Sequence, residues 1–146
     1  MSIYATFKLE YLKIKCTTNH FALRAKFFIR ASPQLSIKEK FMKTLTALQL
    51  QKKQSQHESV LLVDVREPHE FNYAHIAGSI LIPLADIQER WQELERNQEI
   101  VVVCHHGVRS LQAALFLVQM GFTNIANLHG GIDAWSVQCD ASVPRY

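Results

Sequence analysis

Glu99-Ile100-Val101-Val102-Val103-Cys104-His105-His106-Gly107-Val108-Arg109-Ser110 is the stretch on which the fold turns. Its consecutive β-branched residues leave no polar face, so the run suits a strand buried between two helical layers, as in a parallel sheet. The run stops abruptly at Cys104. An amphipathic to fully apolar helix follows over Ser110–Met120, carried by Leu111, Ala114, Leu115, Leu117 and Val118. Gly121 stands where a glycine closes a helix. Upstream, Val60–Val65 is another run apolar on both faces, and Ser79–Pro83 is a shorter one. Asp86–Arg96 is polar and helical in character, and Asn124–Leu128 is a last short strand before Gly130-Gly131. Short strands alternating with helices predict an α/β domain built on a mainly parallel central sheet of about five strands, with helices on both faces.

Further out, Ser36-Ile37-Lys38-Glu39 reads as a capping box opening a helix, with Ile37, Phe41, Leu45 and Leu48 at helical spacing. That helix is expected to fade in the polar Gln51–Glu58 stretch. Ser32-Pro33 breaks the chain ahead of it, which divides the sequence into an N-terminal extension, 1–32, and a body, 33–146. Residues 1–35 carry six basic side chains against Glu10 alone, whereas the remainder carries ten against twelve acids. The net charge of +3 therefore belongs to the extension. Within it Ile3, Ala5, Phe7 and Leu9 alternate as in a half-buried strand, while the scarcity of acids also suits a transit peptide or a simple appendage.

A length of 146 residues suits one domain, and 48% hydrophobic with 20% charged residues is ordinary for a globular protein. No apolar run approaches the roughly 18 residues of a spanning helix, so no membrane role is expected. A mildly acidic body lacks the basic face that nucleic-acid binding needs. Cys16, Cys104 and Cys139 are odd in number and widely spaced, which argues against a disulfide framework and for a reducing, cytoplasmic setting.

Chemistry in a parallel sheet sits at the carboxyl ends of its strands, and Cys104 lies at such an end. A helix begins just after it, so unpaired backbone N–H groups and the helix dipole favour an anion there. Gly107 lets the loop turn its N–H groups inward, and Arg109 adds a permanent charge or braces the loop. Such a setting holds a thiolate ready as a nucleophile. Cys16 and Cys139 have no comparable context. His105 and His106 invite a zinc reading, but adjacent side chains rarely converge on one ion and no second cysteine stands nearby in sequence, so no metal is expected. They suit the pocket mouth, where they would tune substrate choice, or simply face solvent.

The body resembles a single rhodanese homology domain over about 110 residues. Asp64-Val65-Arg66-Glu67-Pro68-His69-Glu70-Phe71 is similar to the family's D-V-R-x-x-x-E-F block. His75-Ile76-Ala77-Gly78-Ser79-Ile80-Leu81-Ile82-Pro83 follows its G-H-I-x-G-A-x-N-I-P block, departing at Ala74, Ser79 and Leu81. Cys104–Ser110 resembles the active-site loop C-x-x-G-x-R-S, and Leu128–Trp135 the closing L-x-G-G-x-x-x-W block. This resemblance implies a five-stranded parallel sheet and a sulfurtransferase. Cys104 would take sulfur from thiosulfate or a similar donor as a persulfide and pass it to cyanide or a protein thiol. The loop N–H groups of His105, His106, Gly107, Val108, Arg109 and Ser110 would hold the terminal sulfur, with no cofactor. Asp64 and Arg66 would brace the site, Glu70 would pair with an arginine, His75 would fix a turn, and Trp135 would belong to the core. Cysteine-based phosphatases and arsenate reductases use a loop one residue longer, often with His where Val103 stands. A non-enzymatic interaction module, the other alternative, has commonly lost the cysteine that is present here.

Overall fold

The computed structural model describes residues 42–146. Five strands form its sheet: β1 (Met42–Leu45), β2 (Val60–Asp64), β3 (Ile80–Leu81), β4 (Glu99–Val103) and β5 (Ile125–Leu128). The strand order is β1-β5-β4-β2-β3, and every neighbouring pair is parallel. The helices are α1 (Ala47–Ser55), α2 (Pro68–Tyr73), α3 (Ile87–Arg90) with a 3-10 turn at Trp91–Glu93, α4 (Val108–Gln119) and α5 (Gly131–Gln138).

Successive side chains of a strand point to opposite faces, so the apolar run of β4 feeds two cores. Ile100, Val102 and Cys104 join Val63, Ile125 and Phe122 beneath Ala113, Ala114 and Leu117 of α4. Val101 and Val103 join Leu62, Ala126 and Leu128 against Leu50 of α1 and Ile132 and Trp135 of α5. Helices thus cover both faces, as the strand patterns require. Trp135 is core. α4 closes at Gly121 with φ of +93°, the left-handed conformation expected there.

The expected helix from Ser36 is corrected in its described part; Ser36–Phe41, like the basic extension, lies outside the described residues. Met42–Leu45 is a strand whose Leu45 stands beside Leu128 of β5. The helix starts afresh at Ala47, because Thr46 and Gln49 form their own capping box: the Gln49 N–H donates to Thr46 Oγ1 at 3.3 Å and the Thr46 N–H to Gln49 Oε1 at 2.9 Å. Leu48 is consequently exposed, and α1 continues through Gln51–Ser55 on the buried Leu50. The Ser79–Pro83 run narrows to a two-residue edge strand, with the Ile82 N–H still reaching Asp64 O at 3.0 Å. Asp86–Arg96 holds only one α-turn and one 3-10 turn. α4 begins at Val108, two residues earlier than the apolar pattern suggested.

Candidate active site

β4 delivers Cys104 to its carboxyl end, 1% exposed. The chain then turns at Gly107, whose φ is +102° and whose missing Cβ leaves room for Leu128 O. Two donors face the sulfur: the Gly107 N–H lies 3.0 Å from Sγ and the Ser110 hydroxyl 3.2 Å from it. The Leu111 N–H donates to Gly107 O at 3.2 Å, which leaves the N–H groups of Val108, Arg109 and Ser110 ahead of the first helical bond. On the opposite side the loop is clamped by α5. The Ile132 N–H donates to Cys104 O at 2.9 Å and the Asp133 N–H to His105 O at 3.2 Å. A trans peptide points its C=O and N–H in opposite directions, so tying these carbonyls to α5 turns the following N–H groups away from that helix. The approach is so close that a Cβ on Gly131 would collide with the carbonyl oxygens of both Cys104 and His105.

A polar chain braces the loop from the side. Arg109 spends its fork on Glu70, with Nη1 2.6 Å from Oε2 and Nη2 2.7 Å from Oε1. Tyr146 donates to Glu70 Oε1 at 2.8 Å and accepts from Arg66 Nη1 at 2.7 Å. Arg66 and Asp64 are both buried, paired through Nε to Oδ1 at 2.9 Å and Nη2 to Oδ2 at 2.6 Å, and Nη2 also donates to Ala74 O at 2.6 Å. Burial works most strongly against the charge of Arg66, but the hydrogen bonds and charge of Asp64, together with Tyr146, outweigh it and leave the guanidinium more basic than usual. The Arg109 guanidinium likewise drags the Glu70 carboxyl down to about 2 against a burial penalty. His75 directs Nδ1 at Phe71 O, 3.0 Å away, at the end of α2.

The mouth is aromatic. The His105 ring lies 4.0 Å from that of His106 and 4.3 Å from that of Tyr146, nearly parallel to the latter. Burial first, and then the neighbouring His106, push the His105 imidazole below its ordinary pKa. A cavity of about 300 Å³ opens beside it, lined by His69, Glu70, Tyr73 and Tyr146. Contrary to the expectation for adjacent side chains, His105 and His106 do converge, and with Asp133 they bring three ligand-type atoms within 4.8 Å of one another. Asp133 is already held by Arg145 at 2.8 Å.

The structure gathers Cys104 through Ser110 with Asp64, Arg66 and Glu70, while Cys139 lies apart at the end of α5. Two residues of this assembly were not read from the sequence. Asn127 donates from Nδ2 to Gly107 O at 3.1 Å, and its Oδ1 lies 2.6 Å from the Ser110 hydroxyl. Its signal was a lone amide in an otherwise apolar buried strand. Tyr146 carried none.

A family model described as the rhodanese-like domain matches residues 46–138. The thiosulfate sulfurtransferase GlpE of Pseudoalteromonas translucida is 36% identical over 88 residues, which are 60% of this chain and 84% of that protein. A protein named sulfurtransferase from Allochromatium vinosum is 39% identical over 79 residues, 54% of this chain and 74% of its own length. The crystal structure of a rhodanese-related protein from Thermoplasma volcanium is 37% identical with a TM-score of 0.61, covering 66% of this chain and 93% of that one.

Proposed function

The chain belongs to the rhodanese-like family, and from that premise we propose that it is a sulfurtransferase working through a persulfide on Cys104. The observation that carries this reading is the pair of donors on the sulfur, Gly107 N–H and Ser110 hydroxyl, at the mouth of a helix whose first N–H groups are unspent. In the first half-reaction the Cys104 thiolate attacks the outer sulfur of thiosulfate or a similar donor. The donor's S–S bond breaks, sulfite leaves with the bonding pair, and Cys104 carries a terminal sulfur anion. Loop N–H groups stabilise that anion as an oxyanion hole stabilises a developing charge. In the second half-reaction a thiophile, cyanide or a protein thiol, takes the outer sulfur and Sγ leaves as the thiolate. No step needs a metal or organic cofactor.

The relatives named as sulfurtransferases support the reaction class, and the donor named for GlpE supports thiosulfate as the first substrate to try. The loop from Cys104 to Arg109 has four residues between them, one fewer than phosphatases of related design use. That cradle suits one sulfur atom rather than a tetrahedral phosphate. Arg109, moreover, is committed to Glu70 instead of being free to grip phosphate oxygens. Retention of Cys104 with its complete loop favours an enzyme over a binding module.

Incubation with thiosulfate should add one sulfur to the intact mass and release sulfite, the covalent step of an activated thiolate. Cys104→Ser should abolish the gain, whereas Cys16→Ser and Cys139→Ser should keep it. Sulfur loading that survives in Cys104→Ser would sink the reading.

A further inference from the structure

Ser110 owns one proton and stands between two acceptors. Its oxygen is 3.2 Å from Cys104 Sγ and 2.6 Å from Asn127 Oδ1. All three side chains are buried. The amide cannot turn to relieve the competition, because Nδ2 of Asn127 is spent on Gly107 O at 3.1 Å. We propose that Asn127 is a positioning residue that sets the thiol–thiolate balance of Cys104 by competing for the proton of Ser110. The proposal rests on the thiolate chemistry above.

Two arrangements alternate through the cycle. With Cys104 as a thiol, its S–H donates to Ser110 Oγ and Ser110 donates to Asn127 Oδ1, so each hydrogen has an acceptor. When the thiol proton leaves to solvent, a lone pair of Ser110 facing the thiolate is repulsive. The hydroxyl then swings to donate to Sγ, and Asn127 Oδ1 loses its partner. That loss is the cost of forming the nucleophile, since a buried acceptor left alone is unfavourable. Once Sγ bears the transferred sulfur its charge moves to the outer atom, and the hydroxyl returns to Asn127. In the second half-reaction Sγ departs as a thiolate, and the hydroxyl swings back to receive it. Asn127 thereby withholds the donor at rest and in the persulfide, and gives it up when Sγ is anionic.

Shortening or charging Asn127 should move the balance in opposite directions, which a purely structural role would not do. The readout is the pH midpoint of Cys104 alkylation by iodoacetamide in the full chain, followed by peptide mass mapping. Charges around the sulfur are common to all variants: Arg109 with Glu70 of α2, Arg66 with Asp64 at the end of β2, His105 and His106 of the loop, and Asp133 of α5 with Arg145. Asn127→Ala frees the Ser110 proton for Sγ and should lower the midpoint by about one pH unit. Asn127→Asp captures that proton and adds a negative charge, and should raise the midpoint by at least as much. In a Ser110→Ala background, Asn127→Ala should leave the midpoint unmoved. Shifts of the same sign for the two Asn127 variants, or an Asn127→Ala shift that persists without the hydroxyl, would overturn the proposal. Should Asn127→Ala fail to fold, Asn127→Leu, which keeps the side-chain volume and removes the acceptor, takes its place with the same expected drop and the same Ser110→Ala control, and an unchanged or higher midpoint overturns the proposal. Sulfur loading by thiosulfate is scored separately, so an inert wild type ends the sulfurtransferase reading while the midpoints still judge Asn127.

Discussion

The Glu70 carboxylate accepts both arms of Arg109, the Tyr146 hydroxyl, and the Glu67 N–H at 3.1 Å. These donors favour the ionised form, chief among them Arg109, and hold the folded-state pKa at about 2 against an ordinary 4.5. A depressed carboxylate pKa contributes stability that is fully present above the unfolded value and is lost as pH falls through the folded one. Glu70→Gln should therefore be less stable than wild type at neutral pH, by about 1–2 kcal/mol once the partial exposure of Arg109 is discounted. Its deficit should shrink between pH 4.5 and pH 2, as read from urea midpoints across that window. A deficit that stays constant there would deny Glu70 this role. The site's centre was legible because Cys104, Gly107, Arg109 and Ser110 are contiguous and their chemistry is local. Asn127 and Tyr146 were not legible as site residues, since each arrives from a different segment of the chain and only tertiary packing aims it at the loop.

Among the elements, α5 does more than cover the sheet. Its opening residues hold the carbonyls of Cys104 and His105, and Gly131 has φ of +59° with no space for a Cβ. Gly131→Ala should therefore combine backbone strain with a clash against backbone atoms that cannot move without displacing the sulfur cradle. The expected loss is about 2–4 kcal/mol of stability. Sulfur loading should fall with it even well below the melting temperature, a comparison of intact mass with thermal melting. A stable, fully loading variant would show that the clamp is dispensable. β2, β4, β5 and α4 could be read in advance because burial on both faces, or a closing glycine, marks them within a few residues. β1 could not, since its register places Lys43 beside Ala126 and the sequence near Lys43 says nothing of that partner. α2 escaped notice for a different reason: six residues are too short to show a period, and Pro68 at its first turn reads equally well as a loop.

Over the whole chain, the family match spans residues 46–138 and leaves the basic segment outside it. We propose that residues 1–31 are an appendage to this domain. A chain beginning at Ser32 should retain its sulfur-transfer rate and melt within a few degrees of the full chain. Aggregation or loss of a cooperative melt would show that the basic segment is built into the fold. The clamp of α5 on the Cys104 loop has a consequence in time as well as in space. A polypeptide emerges from the ribosome N-terminus first at about 5–20 residues per second. Cys104 thus leaves the ribosome ahead of Asn127, Gly131 and Ile132, which can enclose it only after they too have emerged. During that interval its thiol has neither the Gly107–α5 cradle nor a buried position, and it meets oxidants as any exposed cysteine does. Newly made chains are accordingly the population in which Cys104 is most open to oxidation, and completing the last helix is what protects it.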